Sequence, residues 1–265
     1  MATNPSLRIG HFSDIDATKQ IEQFVAHLEW IERLPSAVEL REYSYKLLKA
    51  NTGDRLVDVG CGTGLVVAEL TERGIKAMGV DISEQMITVA RHRFPDNDFL
   101  VAAAESLPFE DGSLDGYRAE RLYQHLKDPA QALVEARRVL KPGGSLLIVD
   151  QDYDMWAIDS DDETTTRTVM QAQSNAIASR WIGRRCRNLF LDAGFVDVAI
   201  EVKTLISTDY AQLSPVLASI AQTAVLSNAI THAQAHIWLE EQRCRGENSR
   251  FFFCLPFFLA SARQP

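Results

Sequence analysis

Leu56-Val57-Asp58-Val59-Gly60-Cys61-Gly62-Thr63-Gly64 decides the fold. An apolar run short enough to be a buried strand ends directly in three alternating glycines. Glycine lets the backbone turn tightly and approach a ligand closely. The helix expected next, about Leu65 to Arg73, presents unpaired N–H groups to a carboxylate or phosphate. A dinucleotide fingerprint, G-x-G-x-x-G/A counted from Gly60, would need its third small residue at the position of Leu65, whereas the third glycine is Gly64. Asp58 lies inside the strand end, where a dinucleotide site has no use for a carboxylate. Further on, Gly79-Val80-Asp81-Ile82-Ser83 ends a second strand in an acid able to accept bonds from both ribose hydroxyls, a feature shared with NAD sites.

Outward from this stretch, strands alternate with helices. A turn at Asn51-Thr52-Gly53-Asp54 precedes the strand Arg55–Val59. Ala77–Val80 leads to a helix at about Glu84–Arg93, with Ser83 as N-cap. Asp98–Ala102 leads into a loop at Glu105–Asp111, and Leu114–Ala119 precedes a helix from about Pro129 to Leu140. Lys141-Pro142-Gly143-Gly144 is a stop-and-turn before a fifth strand, Ser145–Val149. This alternation predicts a parallel sheet with helices on both faces. Beyond Asp150, Gln151–Asp162 reads as an acidic, aromatic loop. Glu163–Ala193 reads as a long helix or helix pair capped at Gly194. Val196–Ile206 and Arg250–Ala262 read as strands around a helical insert, about Tyr210 to Gln242. Upstream, helical spacing covers Ile15–Leu34 and about Ala37–Leu48, broken at Pro35. The chain reads as a single domain: an N-terminal helical cap over 1–50, a core over 54–150, and substrate-side helices with closing strands over 151–265.

With 265 residues, 46% apolar and 24% charged, the chain can fill one sizeable core. A net charge of −9 argues against nucleic acid as partner, because displacing counterions from phosphates needs a basic footprint. Cys61, Cys186, Cys244 and Cys254 are scattered with no C-x-x-C pair, which fits neither a zinc site nor a disulfide framework. They read as reduced thiols of a cytoplasmic protein, with no metal expected. MATNPSLRIGHFSD does not read as a signal peptide. No stretch approaches the roughly 20 apolar residues of a membrane span, and FFFCLPFFLA near the C-terminus reads as a buried strand.

VDVGCGTG, GVDIS, AESLPFEDGSLD and VLKPGG, in this order and spacing, resemble the class I S-adenosylmethionine-dependent methyltransferases. The similarity is closest to the branch typified by ubiquinone/menaquinone C-methyltransferases and many bacterial secondary-metabolite methyltransferases. It covers Asp54 to Asp150 strongly and the remainder loosely. It implies a Rossmann-like α/β fold: a seven-stranded, mostly parallel sheet with the last strand antiparallel, plus accessory N-terminal and lid helices. It implies S-adenosylmethionine as cofactor and S-adenosylhomocysteine as product. By position, Gly60 and Gly62 would wrap the methionine part, and Asp58 would orient that loop or meet the cofactor ammonium through water. Asp81 would hold the ribose, Ile82 and Met86 would pack on adenine, and Ala104 and Glu105 would meet the adenine edge. Ala119 to Arg121 would supply a carbonyl to the ammonium. One departure is Ala103, where family members often carry an Asp that accepts from the adenine amino group.

Weaker constellations lie around this core. His125, just past the fourth strand, is placed to act as a base, or simply to pack. Asp150, Asp152, Tyr153 and Asp154 follow the fifth strand at the carboxyl edge where open α/β sheets bind ligands; Asp152 and Tyr153 are the further base candidates, against a plain solvated loop. His11, Phe12, Phe24, His27 and Trp30 mark an N-terminal segment that either closes over the site, in one copy or between two copies, or only packs. Trp181 sits among Arg180, Arg184, Arg185 and Arg187, a candidate anion site or a charged helix face. His11, Phe12, Trp30, Trp156 and Trp181 are the substrate-side candidates. Their aromatic character points to a small, largely apolar acceptor in secondary metabolism, methylated on carbon, oxygen or nitrogen. Two rivals stay open: a cofactor-binding member that does not methylate, cyclase-like or regulatory, and an NAD-dependent oxidoreductase.

Overall fold

The protein is represented by a computed structural model that describes residues 21–265. Two helices, α1 (Ile21–Glu32) and α2 (Pro35–Leu48), precede an alternating run: β1 (Arg55–Val59), α3 (Leu65–Glu72), β2 (Lys76–Asp81), α4 (Glu84–Arg93), β3 (Asp98–Val101), β4 (Leu114–Glu120), α5 (Pro129–Val139) and β5 (Leu140–Gln151). Then follow β6 (Ala157–Ile158), α6 (Glu163–Asn175), α7 (Ile182–Asp192), β7 (Val196–Ser207), α8 (Tyr210–Leu226), α9 (His232–Glu247) and β8 (Phe253–Arg263). The strand order is β3-β2-β1-β4-β5-β8, with β7 on the far side of β8. Neighbours from β3 to β5 run parallel, and β8 runs against β5 and β7. The expected α/β sheet, mostly parallel with its last strand reversed, is therefore present.

Each central strand feeds two cores with a period of two, as the pleat requires. Leu56, Leu147 and Val149 face one cluster with α2, α3, α4, α8 and α9, while Val57, Val59, Leu146 and Ile148 face another with α5 and α7. Local chemistry sets the helix starts. Ser83 accepts from the Met86 N–H, Asp128 from Gln131 just before Pro129, and Thr231 forms a reciprocal capping box with Gln234.

Two details differ from the sequence expectation, and one alternative left open is resolved. The stop-and-turn at 141–144 is a bulge inside a longer β5: the register against β4 slips between Leu140 and Ser145, and Gly143 takes a φ of +78°. Glu163–Ala193, expected as a long helix or a helix pair, is the pair. The segment read as a loop after Gln151 contributes an eighth strand, because β8 overshoots the end of β5 and Ala157 and Ile158 cover the overhang at Cys254 and Phe253. Leu255 and Pro256 then have a strand partner only on the β7 side, a place where a residue without an N–H does little harm.

Gly64 shows how tightly the glycine loop is packed. Its φ is +84°, and an added Cβ would stand 2.7 Å from Phe99 Cζ and 2.9 Å from Ala90 Cβ. Gly112 has a φ of +57° with nothing within 4 Å of such an atom. Gly64→Ala should cost about 2–4 kcal/mol, a left-handed penalty plus overpacking, and Gly112→Ala only about 1 kcal/mol. Urea denaturation of both variants measures the gap, and equal losses would contradict the packing argument.

Candidate active site

A cavity of about 1220 Å³ opens at the carboxyl ends of β1, β2, β4 and β5, beneath α1 and the segment between α6 and α7. A single drug-sized ligand needs roughly 300–1,000 Å³. The space is large enough for two ligands side by side.

One half is built by the glycine loop and β2. Gly60 and Cys61 both donate their N–H to the Val80 carbonyl, at 2.7 and 3.0 Å, which pins the loop to the neighbouring strand. Asp81 accepts from the Gly62 N–H and the Ser83 N–H, each at 3.0 Å, so its carboxylate is oriented before any ligand arrives. Beside it Ile82 is 62% exposed, an apolar side chain facing the cavity with no protein cover. Met86, Ala104 and Glu105 complete this wall, whereas Ala103 bridges to Ser106 and does not line the cavity. An uncovered apolar shelf beside a preset carboxylate fits an adenosine.

Beneath this half lies a buried charge network. Asp58 and Arg118 are register partners across β1 and β4, with Arg118 Nη1 2.8 Å from Asp58 Oδ1. Arg118 also pairs with Glu120 and donates through Nε to Ser44 Oγ of α2 at 3.2 Å. Burial pushes the Asp58 carboxyl up to about 6, more than the Arg118 charge returns. Burial works the same way on Glu120, but there Arg118 and Arg121 win and hold it below the usual carboxylate range.

The helical cap is tied to the glycine loop by charge. Glu32 of α1 accepts from Thr63 and pairs with Arg93, whose Nη1 donates to the Thr63 carbonyl at 3.3 Å. Arg41 of α2 holds Glu69 of α3 through two bonds of 2.9 Å.

The other half is aromatic. Tyr153 stacks on Trp156 at 4.9 Å between centroids, and Trp156 meets Phe253 edge-on at 5.6 Å. Trp30 stacks with His27 on α1, and Trp181 enters from the start of α7; all of these residues line the cavity. His125 lies here too, beside Gln124 at 2.9 Å. Burial, then the charge of Arg121, pulls its imidazole down to about 4, so it is neutral near pH 7. Burial lifts the Tyr153 phenol well above its ordinary value. Asp150 is not on the cavity wall: it is fully buried and accepts the Tyr123 N–H at 2.9 Å, positioning the turn that carries His125.

Of the base candidates, Asp152 requires correction. It does not line the cavity but is fully buried beneath Arg184, with which it makes a two-pronged ion pair, and it caps the short turn at Asp154. Position after the fifth strand placed it near the site, but its side chain points to α7. His11 and Phe12 lie outside the described residues. All nine cofactor-side positions (Asp58, Gly60, Gly62, Asp81, Ile82, Met86, Ala104, Glu105, Arg121) line the one cavity, as do His125, Tyr153, Trp30, Trp156 and Trp181. Sequence reasoning missed Arg118, Gln124 and Glu32, and at Glu120 it foresaw a backbone carbonyl but not the charged side chain. An arginine between Tyr117 and Ala119 in a buried strand, with an acid two residues on, was the available signal.

The described residues contain no helix long and apolar enough to cross a membrane and no group of three or more side chains able to hold a metal. A family profile described as Methyltransferase domain matches residues 57–148. An uncharacterized 37.1 kDa protein in transposon TN4556 of Streptomyces fradiae is 32% identical over 225 residues, covering 82% of this chain and 65% of that protein. The demethylmenaquinone methyltransferase of Renibacterium salmoninarum is 36% identical over 98 residues, 37% of this chain and 41% of its own. Among solved structures, phosphoethanolamine N-methyltransferase 2 of Haemonchus contortus, in complex with S-adenosyl-L-methionine, matches with a TM-score of 0.62 at 19% identity, over 96% of this chain and 59% of that one. The chain thus spans less than two thirds of the length of each of these three proteins. The matched segment, residues 57–148, runs from the glycine loop to the fifth strand on a sheet of the same class, and this core is that of the class I S-adenosylmethionine-dependent methyltransferases.

Proposed function

We propose that the protein transfers a methyl group from S-adenosylmethionine to a small, largely aromatic acceptor. The observation that carries this is one continuous cavity joining the glycine loop, Asp81 and the Ile82 shelf to a wall of Trp30, Tyr153, Trp156 and Trp181. When bound, the cofactor supplies a methyl already activated on sulfonium sulfur. The protein is left with alignment and exclusion of water. In this reading Asp81 takes the ribose hydroxyls, Ile82 and Met86 pack on adenine, and Gly60 with Gly62 admit the methionine part. Asp58 and Glu120 supply negative charge near the ammonium. The aromatic wall holds the acceptor, and α1, latched through Glu32, covers both. Residues 1–50 would then act as cap, 54–150 as cofactor core and 151–265 as acceptor side. Tyr153 and the neutral His125 touch the acceptor, the imidazole serving as hydrogen-bond partner.

Calorimetric titration with S-adenosylmethionine, S-adenosylhomocysteine and NAD tests the cofactor half. Binding of the first two and none of NAD is expected. Asp81→Ala removes charge-assisted bonds and should weaken S-adenosylhomocysteine binding by about 10–100-fold; unchanged affinity would place the cofactor elsewhere. Incubating the protein with S-adenosylmethionine and a panel of aromatic acceptors, followed by mass spectrometry, tests the transfer itself.

The raised Asp58 carboxyl gives a pH signature. Above pH 6 it is ionised and favours a cationic cofactor; below pH 6 protonation competes with binding. Affinity for S-adenosylmethionine should therefore level off above about pH 6 and fall below it, by up to about tenfold per unit, and Asp58→Asn should flatten that slope. An affinity independent of pH from 5 to 8 in the unaltered protein would show that Asp58 does not sense the cofactor.

A further inference from the structure

The cavity is electrically two-ended although the chain carries a net charge of −9. Asp58, Asp81, Glu105 and Glu120 line the cofactor end, where Arg41 and Arg118 are taken up by carboxylates, while Arg121, Lys127, Arg180 and Arg185 line the acceptor end, where Asp128 is engaged as the cap of α5. We propose that Arg121 is an anion-holding residue: its guanidinium binds a carboxylate or phenolate oxygen on an aromatic acceptor, and the Trp181 wall takes the ring. This rests on the methyl-transfer reading and adds the acceptor class to it.

The backbone puts Arg121 at the junction of the two halves. It follows the last residue of β4 with a φ of +53°, and its N–H donates to the Val149 carbonyl at 2.8 Å. A left-handed conformation costs a non-glycine residue about 1 kcal/mol or more and persists where surrounding structure imposes it, often at functional sites. The two neighbouring arginines have different duties. Arg118 is buried and occupied by Asp58, Glu120 and Ser44. The Arg121 side chain is 31% exposed and its one ion-pair partner among the described residues is Glu120, through Nε at 3.5 Å. Its charge acts on His125 and, from the cap side, on His27: burial first and then this cation lower both imidazoles. The guanidinium of Arg121 lines the cavity together with both imidazoles.

The far wall is matched to an aromatic anion. Arg180 and Arg185 stand 5.2 and 5.1 Å from the centre of the Trp181 ring, and neither pairs with a carboxylate among the described residues. Arg184, the third cation on that ring, is occupied by Asp152 and so serves to fix Trp181 in place, helped by the indole N–H bond to Asp154 at 2.5 Å. A planar guanidinium suits an oxyanion, and an indole flanked by cations suits an electron-rich ring. An acceptor that arrives as an anion needs no strong base, which agrees with a neutral His125 and an Asp152 withdrawn from the cavity.

Calorimetric titration of the full chain, with and without S-adenosylhomocysteine, compares benzoate with benzamide and 4-nitrophenolate with nitrobenzene. At least one anion should bind about tenfold or more tightly than its neutral counterpart, the size expected of a bond to a charged group. The stronger arm tells carboxylate from phenolate. Arg121→Gln should bring the ratio to within about threefold, and Arg121→Lys should keep most of it. Equal binding of anion and neutral ligand by the unaltered protein, or no binding of either, overturns the proposal without needing a variant. A preference that survives Arg121→Gln but is lost in Arg185→Gln overturns it too, since the anion then belongs to the Trp181 wall. If S-adenosylhomocysteine itself fails to bind, the methyl-transfer reading falls, while the anion ratio on the cofactor-free protein still decides the role of Arg121.

Discussion

Arg118 lies wholly buried in β4, with Asp58 of β1 opposite it and Glu120 two residues along the same strand face. The two strands carry the glycine loop and the turn to His125, so the ion pair fixes the spacing at which the sheet opens into a crevice. It also reaches upward, through Ser44, to the helix that roofs this part of the sheet. Desolvating such charges is expensive, and removing one partner typically costs 3–5 kcal/mol because the other is left uncompensated. With two carboxylates to one guanidinium, the network places net negative charge beneath the glycine loop without leaving any of the three charges unpaired.

That arrangement explains the division of labour between neighbouring residues. On β4 the chain alternates between inward and outward faces, so Tyr117 and Ala119 fill one core while Arg118 and Glu120 build the charged floor on the other. The left-handed residue at Arg121 breaks the alternation where the strand ends at the cavity. The cap is held by the same means. Glu32 joins α1 to Thr63 inside the glycine loop and to Arg93 on α4, so the covering helix is attached to the elements that shape the cofactor half.

The alternating core from β1 to β5 was legible because each strand is a short apolar run punctuated by glycine, proline or a capping residue. Ser83 and Asp128 then set helix starts within a residue of the expectation. The bulge at Gly143 and the two-residue strand at Ala157 were not legible, since both depend on how far β8 and β4 extend beside them. Asp152 was misplaced for a related reason. A residue just past a strand end can turn into the cavity or away from it, and the Arg184 guanidinium, more than thirty positions downstream, decides the matter.

The sequence by itself determined the sheet class, the cofactor loop and the acid at the end of β2, because glycine φ requirements, strand burial and helix capping act over a few residues. The nine cofactor-side positions followed from that local order together with the family resemblance. Tertiary structure alone decided the buried Arg118 network, the latch from Glu32, the withdrawal of Asp152 and the polarity of the cavity. Each depends on side chains that are distant in sequence and meet only once the sheet is assembled, where burial and neighbouring charge, rather than residue type, set what a carboxylate or an imidazole can do.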